Sequence, residues 1–378
     1  MRRTPLAVLA MVRALTGLGH TVDLLTYPQG ESMDIPGVAH RRSLRLPVGR
    51  VKPGPSFGKL LLDGPFMAEA WARMAFGSYD AVHAVEEAAH LAAPVARLLG
   101  LPLVVDVDSS IPDQLRESGF ARRGPMLWAA EALERHALGH SAAVVTVCGS
   151  LTEGVKARAP GARVFQIEDP PLVDATRPPA EAVAALRRCF GLAEAPVVFY
   201  SGNFEAYQGV DLLVDAAARV PEAAFLFMGG EAEEIAAMKA RAEGTGARCA
   251  FAGKRPPSDL PVFLAAADIL ASPRCRGANT PFKIYTYLAA GKPLVATRIP
   301  THTQLLDVTL AVLVEPTPDG LAAGIRRALA DPADAEARAT RGRELIEREY
   351  SPARFAEKVK KAYAAVSDAS ERRRTPGR

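Results

Sequence analysis

Residues 272–307 read SPRCRGANTPFKIYTYLAAGKPLVATRIPTHTQLLD, and this stretch contains the signals for a loop, a helix and a buried strand in that order. Thr280 and Pro281 predict the N-cap and the first helical residue, because the hydroxyl accepts a first-turn amide and proline's missing donor is unused there. Apolar residues at i, i+3 and i+4 spacing then predict one buried face: Ile284, Tyr287 and Leu288. Gly291 predicts the end of the helix, and the apolar run at 293–297 predicts a short buried strand.

The start of this helix is a candidate anion-binding site. Its first-turn N–H groups lack partners within the helix, and they carry the positive end of the helix dipole. This arrangement suits a phosphate. Arg274, Arg276 and Lys283 lie around it in the sequence and add positive charge. A capped surface helix with chance basic neighbours explains the same pattern, so the helix start alone leaves both interpretations open.

The run PFKIYTYLAAGKPLVAT at 281–297 resembles the nucleotide-sugar site of the family 4 glycosyltransferases. Three further segments resemble that family in the same order: FYSGNFEAYQGVDLLVDAA at 199–217, FLFMGG at 225–230, and FAGKRPPSDLPVFLAAADILASP at 251–273. The resemblance implies an α/β protein of the GT-B fold, with two Rossmann-like domains facing across a cleft and a final helix crossing back to the first. It also implies a glycosyltransferase that retains anomeric configuration, uses no metal and needs no cofactor.

The resemblance assigns most donor-binding residues to the C-terminal half. They occur in the glycine turns, at the edge of the presumed base pocket and around the predicted helix start: Gly202, Asn203, Gln208, Gly229, Gly230, Arg255, Arg274, Thr280, Pro281, Phe282 and Thr286. We expect Lys283 and Asn279 to act at the diphosphate and the transferred sugar, because departing negative charge must be stabilised.

Four positions depart from the family pattern. Many members carry glutamates where this chain has Ala278 and Thr286, and the second of these usually holds the ribose hydroxyls. Many also carry an arginine and a lysine on the diphosphate, where this chain has Asn203 and Gln208. We expect other cations to replace the lost charges, with Lys283 and its neighbouring arginines as candidates. The departures also fit a protein that binds a nucleotide sugar without turnover.

Acidic residues follow two predicted strands of the N-terminal half. Asp108 stands where many relatives have a histidine near the transferred sugar, and it could stabilise positive charge or orient the acceptor; capping of the next helix is the alternative. Glu86 and Glu87 follow the strand at 81–85, where α/β domains place ligands. Carboxylates also stabilise a first helical turn, so the acceptor-side and dipole interpretations both stay open.

We predict an N-terminal acceptor domain at 1–168, a C-terminal donor domain at 169–350, and a crossing helix with a disordered basic tail at 351–378. In the resembled family, a strand and a glycine loop precede the helix at 5–18, and this sequence has no room for them. Either the natural chain begins earlier or the protein lacks this strand. We expect a longer natural chain, because loss of a central strand would expose both neighbours in a sheet buried on both faces.

The remaining elements follow from hydrophobic spacing. Strands are predicted at 21–27, 81–85, 103–107, 143–147, 164–167 and 197–200, and helices at 5–18, 63–76, 86–100, 128–138 and 182–190. A proline- and glycine-rich loop is predicted at 41–65, which is either a mobile acceptor-side loop or a surface excursion. His302 lies in a predicted turn after the strand at 293–297. Two interpretations stay open: His302 contacts the donor, or the turn caps the start of the next helix.

Composition limits the functional classes. The net charge of +4 among 378 residues is mild, so it permits anionic ligands or an anionic membrane surface but does not imply nucleic acid. The four cysteines are widely spaced without a CxxC pair, which disfavours a zinc site and suits a reducing cytoplasm. Asp106 and Asp108 form D-V-D, but strand alternation predicts that they point to opposite faces, so no metal site is expected.

We therefore predict a cytoplasmic hexosyltransferase that moves a sugar from a nucleotide diphosphate sugar to a glycan or lipid-linked acceptor, with possible contact to the inner membrane surface. A setting in bacterial surface polysaccharide assembly is expected from the resemblance. The alternatives are a nucleotide-sugar epimerase on the same fold and a non-catalytic binding protein. A Rossmann dehydrogenase is disfavoured, because no GxGxxG follows a strand with an acidic residue downstream.

Overall fold

The computed structural model describes residues 3–29, 34–47, 57–117, 123–172, 178–192, 194–277 and 279–374. Its elements form two compact units. The N-terminal unit comprises Ala7–Glu168 and Phe355–Arg378, and the C-terminal unit comprises Asp169–Arg354 with Met1–Leu6. Each unit has its own parallel sheet covered by helices, as expected for an α/β protein.

The strands of the N-terminal unit form two parallel ladders. A two-stranded ladder pairs β1 (Val22–Thr26) with β2 (Val38–Arg42). The other strands form a sheet in chain order: β3 (Val82–Val85), β4 (Leu103–Val107), β5 (Ala143–Thr146) and β6 (Val164–Gln166). Among the described residues no ladder joins β1 to β3, and β1 is only partly buried, whereas every residue of β4 is buried.

Helices cover both faces of this sheet: α1 (Arg3–Gly17), α2 (Phe57–Phe76), α3 (Glu87–Leu99), α4 (Ile111–Glu117), α5 (Pro125–His140), α6 (Gly149–Arg158) and, from the end of the chain, α15 (Pro352–Arg374). Phe355, Val359 and Ala362 of α15 join the same core cluster as Met11 of α1 and Val145 of β5. The last helix is therefore part of the N-terminal core.

The C-terminal unit has one six-stranded parallel sheet, ordered β12-β11-β10-β7-β8-β9. The strands are β7 (Val197–Ser201), β8 (Ala224–Met228), β9 (Cys249–Gly253), β10 (Ile269–Ser272), β11 (Leu294–Thr297) and β12 (Val312–Val314). The central strands read as short apolar runs, because both of their faces are covered by helices. Val197, Phe199 and Leu226 bury on one face, and Val198 and Phe225 on the other.

The helices of this unit follow the strands in alternation: α7 (Ala180–Cys189), α8 (Val210–Ala217), α9 (Ala232–Ala242), α10 (Leu260–Ala266), α11 (Phe282–Ala289), α12 (Pro300–Thr303), α13 (Pro318–Ala330) and α14 (Pro332–Glu349). Glycine at 291 has φ +61, as the sequence predicts for the residue after the α11 C-cap.

Two sequence predictions need correction. The predicted loop at 41–65 is too long at both ends, because β2 continues to Arg42 and α2 begins at Phe57; residues 48–56 lie outside the described part. Burial of Leu62 and Met67 keeps α2 helical through Pro65 despite the lost hydrogen bond. α15 runs through Arg374, so the first half of the basic tail predicted to be disordered, residues 371–374, is helical. The sequence there has no helix breaker before Pro376.

Candidate functional site

The chain reverses its direction of travel across the C-terminal sheet at β7. It runs outward from β7 through β8 to β9, then returns to β10 on the other side. Ligands of open parallel α/β sheets bind at such a reversal, beside the carboxyl ends of the strands. Cys275 N donates to Tyr207 O at 2.9 Å, which joins the loop after β10 to the loop after β7. The candidate site is built from these two loops and the first turn of α11.

Lys283 projects from the first turn of α11 into a cradle formed by Tyr200, Gly202 and Gln208. Its Nζ donates to Gln208 Oε1 at 3.2 Å and lies 3.9 Å from the centre of the Tyr200 ring. Gly202 has φ +151, and a Cβ there would come within 2.7 Å of Nζ and 2.8 Å of Tyr200 OH, so a side chain at this position would be strained. Ser201 N donates to Tyr287 OH at 2.7 Å, which fixes α11 against the end of β7. We call Tyr200, Gly202 and Gln208 the Lys283 cradle.

The electrostatics of the Lys283 cradle favour an anion. Burial of the ammonium, with a smaller contribution from the charge of Arg274, lowers the pKa of Lys283 well below the ordinary lysine value. The side chain still keeps a partly exposed face. A diphosphate against this face would favour the charged form, because an opposite charge offsets desolvation.

The glycine turns after β7 and β8 pack directly on each other. A Cβ at Gly229 would lie 1.8 Å from Gly202 O, and Gly229 itself has φ +120. Both the close approach to Gly202 O and the positive φ exclude a side chain at Gly229. Gly230 lies against the Phe204 ring, where a Cβ would come within 2.8 Å. These glycines let the backbone approach closely at the strand ends, as the sequence resemblance predicts for a nucleotide site.

The start of α11 differs from the sequence prediction. The helix begins at Phe282, and Pro281 occupies the N-cap position with φ −64 and ψ 128. Pro281 is therefore not the first helical residue, and Thr280 is not the N-cap; no side chain caps the first turn. Proline's fixed φ is compatible with an extended ψ as well as a helical one. Thr280 is buried in the core, with 3% of the residue exposed, and does not cap the helix. The uncapped turn leaves its amides to other partners.

Arg274 organises the loop after β10 from inside. Its side chain is buried, with Nε donating to Arg276 O at 2.7 Å and Nη2 donating to Asn279 Oδ1 at 3.1 Å. The guanidinium also lies 5.2 Å from the centre of the Tyr207 ring. Arg274 thus orients Asn279, while Arg276 is exposed.

Of the positions that depart from the family pattern, Thr286, Asn203 and Gln208 make local hydrogen bonds. Thr286 is 1% exposed, and its hydroxyl accepts a hydrogen bond from Leu172 N at 3.1 Å. Asn203 O accepts from Tyr200 OH at 2.7 Å, whereas Asn203 Oδ1 is buried without a hydrogen-bond partner among the described residues. Arg255 is exposed and donates from Nε to Ala252 O at 3.0 Å. Ala278 lies outside the described residues.

His302 lies beneath the loop after β10 and is fully buried. Its Nδ1 lies 2.8 Å from Thr297 O, which only accepts, so Nδ1 carries the proton. Its Nε2 then accepts from Ser272 Oγ at 2.8 Å. Burial lowers the pKa of His302 to about 4, so the ring is neutral near pH 7. Thr297 Oγ1 donates to Arg274 O, which connects this histidine to the site loop.

Sequence reasoning missed the roles of Tyr200, Ser272 and Thr297. All three lie within buried strands, where an apolar pattern hides their hydroxyl groups. The available signal was that a polar side chain in a strand buried on both faces needs a partner.

The acidic residues of the N-terminal unit gather at the carboxyl ends of its strands. Asp108 follows β4 and is 4% exposed. Ser110 Oγ accepts from Asp113 N in the first turn of α4, at 3.4 Å. Glu86 Oε1 accepts from Ser109 Oγ at 2.9 Å, and Glu87 Oε1 accepts from Tyr27 OH at 3.4 Å.

Two family models match this chain in succession. The one described as "Glycosyltransferase Family 4" matches residues 7–199, and the one described as "Glycosyl transferases group 1" matches residues 195–331. No helix among the described residues is long and apolar enough to cross a membrane.

Two curated proteins are similar to parts of the chain. A GDP-mannose-dependent alpha-(1-6)-phosphatidylinositol monomannoside mannosyltransferase of Mycolicibacterium smegmatis is 31% identical over 221 residues, 54% of this chain and 58% of that protein. An alpha-D-kanosaminyltransferase of Streptomyces kanamyceticus is 28% identical over 271 residues, 68% of this chain and 69% of that protein. The chain therefore spans less than two thirds of the mannosyltransferase.

Solved structures share the fold. Sucrose-phosphate synthase from Thermosynechococcus elongatus superposes with a TM-score of 0.79 at 22% identity, covering 97% of this chain and 94% of that one. Anabaena HepE in complex with UDP-glucose gives a TM-score of 0.69 at 16% identity, covering 91% of this chain and 99% of that one. The shared fold, the glycine turns at the strand ends and a family match over just over half of the sequence lead to one conclusion: this chain belongs to glycosyltransferase family 4.

Proposed function

We propose that this protein is a hexosyltransferase that moves a sugar from a nucleotide diphosphate sugar to a glycan or lipid-linked acceptor. The proposal includes retention of anomeric configuration, no requirement for a metal ion and a cytoplasmic location. The mannosyltransferase and kanosaminyltransferase relatives support the reaction class, and the printed name of the first includes a lipid-linked acceptor.

One observation carries the donor side of the proposal. Lys283 Nζ lies 3.2 Å from Gln208 Oε1, and Gln208 is a position where many members of the resembled family have a diphosphate-binding lysine. The positive charge therefore comes from α11 instead of the first loop of the domain. Lys283 has no carboxylate partner among its described contacts, and burial, with a smaller contribution from the Arg274 charge, lowers its pKa. A diphosphate supplies the missing negative charge.

The other donor-side residues act by close approach and positioning. Gly202 and Gly229 let the backbone reach the phosphates, and the uncapped first turn of α11 offers amides to the same group. We assign Asn279, whose Oδ1 accepts from Arg274, to hydrogen-bond the transferred sugar. We assign Asp108 to the acceptor side, where its carboxylate would orient a hydroxyl or stabilise positive charge on the sugar.

A second candidate function is nucleotide-sugar binding without turnover. The hydroxyl of Thr286, which stands where the family usually has the ribose-binding glutamate, already accepts from Leu172 N. A weaker grip on the ribose would favour this alternative. Product formation distinguishes the two, because a binding protein retains the donor intact.

Calorimetry tests the donor site. UDP, GDP and ADP, alone and as their common sugar conjugates, are titrated into the wild type and into Lys283→Ala. We expect one base to bind, and the substitution to weaken it by at least about 1.5 kcal/mol, roughly tenfold, as for a lost charge-assisted hydrogen bond. Lys254→Ala is the matched control, because Lys254 belongs to the same unit but is exposed and paired with Glu231. Equal affinity of wild type and Lys283→Ala would remove Lys283 from the site.

Product analysis tests the remaining parts. Proton NMR of the glycoside formed reports the anomeric outcome, and activity that persists in EDTA supports a metal-independent reaction. Binding of a donor without any transferred or hydrolysed sugar would favour the second candidate function.

We also propose peripheral contact with an anionic membrane surface. Met126, Trp128 and Leu133 of α5 are 46%, 67% and 38% exposed, and the net charge is +4. Exposed apolar side chains and positive charge both favour such a surface. Co-sedimentation with vesicles containing phosphatidylglycerol should exceed that with neutral vesicles; equal sedimentation would contradict the proposal.

A further inference from the structure

Two neighbouring strands of the C-terminal sheet end in hydroxyl side chains at the edge of the candidate site. Ser272 is the last residue of β10 and Thr297 is the last residue of β11, and neither has any exposed surface. The two strands pair in parallel as far as Ser272 with Ala296. Buried hydroxyl groups need hydrogen-bond partners, so their partners help to decide how the chain continues into the loop after β10.

His302 bridges the two strand ends. Its Nε2 accepts from Ser272 Oγ at 2.8 Å, and its Nδ1 donates to Thr297 O at 2.8 Å. Nδ1 also lies 3.1 Å from Thr297 Oγ1. Because Nδ1 carries the ring proton, it can only donate to this hydroxyl as well. The hydroxyl proton of Thr297 therefore points away from the ring.

That proton is donated to the loop after β10. Thr297 Oγ1 donates to Arg274 O, two residues beyond the end of β10. The next residue of the loop is held from the other side, because Cys275 N donates to Tyr207 O at 2.9 Å. The backbone at Arg274 and Cys275 is thus fixed between the end of β11 and the loop after β7.

The fixed backbone determines where the Arg274 side chain lies. Its Nε donates to Arg276 O at 2.7 Å, and its Nη2 donates to Asn279 Oδ1 at 3.1 Å. Its charge also contributes to the lowered pKa of Lys283. A shift of the loop backbone would therefore move a buried cation of the donor site together with the side chain that we assign to the transferred sugar.

A second threonine provides an internal comparison. Thr301 directly precedes His302 and is as fully buried as Thr297. Its Oγ1 has no hydrogen-bond partner within the described part of the chain. The two threonines thus share side chain and burial, but only Thr297 is bonded to the site loop.

We propose that His302 is a positioning residue for the donor: through the Thr297 hydroxyl it holds the loop after β10 in the conformation that presents Arg274 and Asn279 to the nucleotide sugar. His302 has no exposed surface with which to touch a ligand, so it acts only through its neighbours. The inference rests on the proposed function, because the conformation of this loop matters for binding only if the donor lies beside it.

Substitutions at the two threonines test the link to the loop. Thr297→Val and Thr301→Val each exchange a buried hydroxyl for a methyl group of similar size. Calorimetry with UDP-glucose, GDP-mannose and ADP-glucose measures donor affinity at a temperature where circular dichroism shows each variant to be folded. We expect Thr297→Val to weaken donor binding by about fivefold or more, as for a lost hydrogen bond that positions the site. Thr297→Ser and Thr301→Val should keep the wild-type affinity.

Two substitutions at His302 separate its two hydrogen bonds. The side-chain amide of asparagine can take the place of Nδ1 and donate to Thr297 O, whereas that of glutamine can take the place of Nε2 and accept from Ser272 Oγ. We expect His302→Asn to bind the donor more tightly than His302→Gln, because the path to Arg274 passes through Thr297. Equal affinities of these two variants, or the reverse order, overturn the inference.

A variant at the other end of β10 controls for loss of stability. Asp268 directly precedes β10, and its Oδ2 accepts from Val197 N at 2.8 Å and from Arg187 Nη2 at 3.0 Å. Asp268→Asn should lower the melting temperature and leave donor affinity unchanged. A loss of affinity in Asp268→Asn that matches the loss in Thr297→Val would show a general effect of destabilisation and overturn the inference.

The outcomes separate this inference from the proposed function. A wild type that binds no nucleotide sugar refutes the donor site, and the positioning role with it. A wild type that binds its donor, with the same affinity in Thr297→Val, refutes only the positioning role of His302.

Discussion

Binding of the nucleotide sugar should be coupled to uptake of a proton by Lys283. Burial and the nearby Arg274 charge lower the pKa of this lysine in the free protein, and a bound diphosphate would raise it again. Between the depressed pKa and the ordinary lysine value of about 10.4, the free side chain is largely neutral and the bound one is charged. The donor therefore binds together with up to one proton.

The sign of the pH dependence follows from this linkage. As the pH rises above the depressed pKa, each binding event must take a proton from an increasingly basic solution. The dissociation constant should increase by up to about tenfold per pH unit within that window. Below the depressed pKa, Lys283 is already charged and the dependence disappears.

The surrounding groups do not titrate in the same range. Arg274 stays charged, burial raises the pKa of Tyr200 well above its ordinary value and that of Tyr287 to about 12, and His302 has a pKa lowered to about 4. A pH series from 6 to 10 therefore tests the protonation of Lys283. A nucleotide diphosphate sugar is the correct probe, because it lacks the terminal phosphate that titrates near pH 6.

Calorimetry in buffers of different ionisation enthalpy measures the number of protons taken up. We expect uptake for the wild type and none for Lys283→Met, whose affinity should also be lower and independent of pH. Lys254→Met, which removes an exposed lysine of the same unit, should keep the wild-type uptake. Zero uptake by the wild type, with a constant dissociation constant from pH 6 to 10, would refute the electrostatic argument.

Three further predictions concern the interior of the C-terminal unit. The folded-state pKa of His302, about 4, lies below the unfolded value of about 6.5, so the unfolded state binds more protons between these values and stability falls as the pH drops. The decrease in unfolding free energy from pH 7 to pH 4, measured with urea, should therefore be roughly 2–3 kcal/mol smaller in His302→Asn than in the wild type. An equal decrease in both proteins would contradict the burial argument. Tyr200→Phe keeps the ring beneath Lys283 but loses the 2.7 Å bond to Asn203 O, so donor affinity should fall less than in Tyr200→Leu; equal losses would exclude the cation–π contact as a positioning device. Thr286→Val removes the acceptor for Leu172 N and should cost about 1–3 kcal/mol of unfolding free energy with unchanged nucleotide affinity, whereas a weaker affinity would show that Thr286 holds the ribose.

Most of the fold was predictable because it depends on local spacing. β4 was predicted with its observed bounds, Leu103–Val107, and the prediction for β7 stopped one residue before its observed end at Ser201. Both are apolar runs between turn residues, which is the pattern of strands covered on two faces. The end of α11 was also predictable, because glycine is the residue that readily takes the positive φ found at Gly291.

The errors arose where packing overrides local preference. The start of α11 moved from Pro281 to Phe282, because proline accepts both an extended and a helical ψ and only the surrounding core selects between them. α2 runs through Pro65, and α15 reaches Arg374. In α2 the burial of apolar side chains outweighs the local signal for a break.

The sequence by itself determined the parallel α/β class, the positions of the glycine turns and the family, since these depend on residues close together in the chain. Only the tertiary structure decided how the site is charged. Lys283 meets Gln208 across 75 residues, and its depressed pKa depends on the burial and the Arg274 charge that this meeting creates. Glu86, which has a positive φ of 51, likewise meets partners distant in the sequence: its N donates to Asp106 O and its Oε1 accepts from Ser109 Oγ. Spacing of residues along a chain specifies periodic structure, but the energy of a charge depends on everything that surrounds it in space.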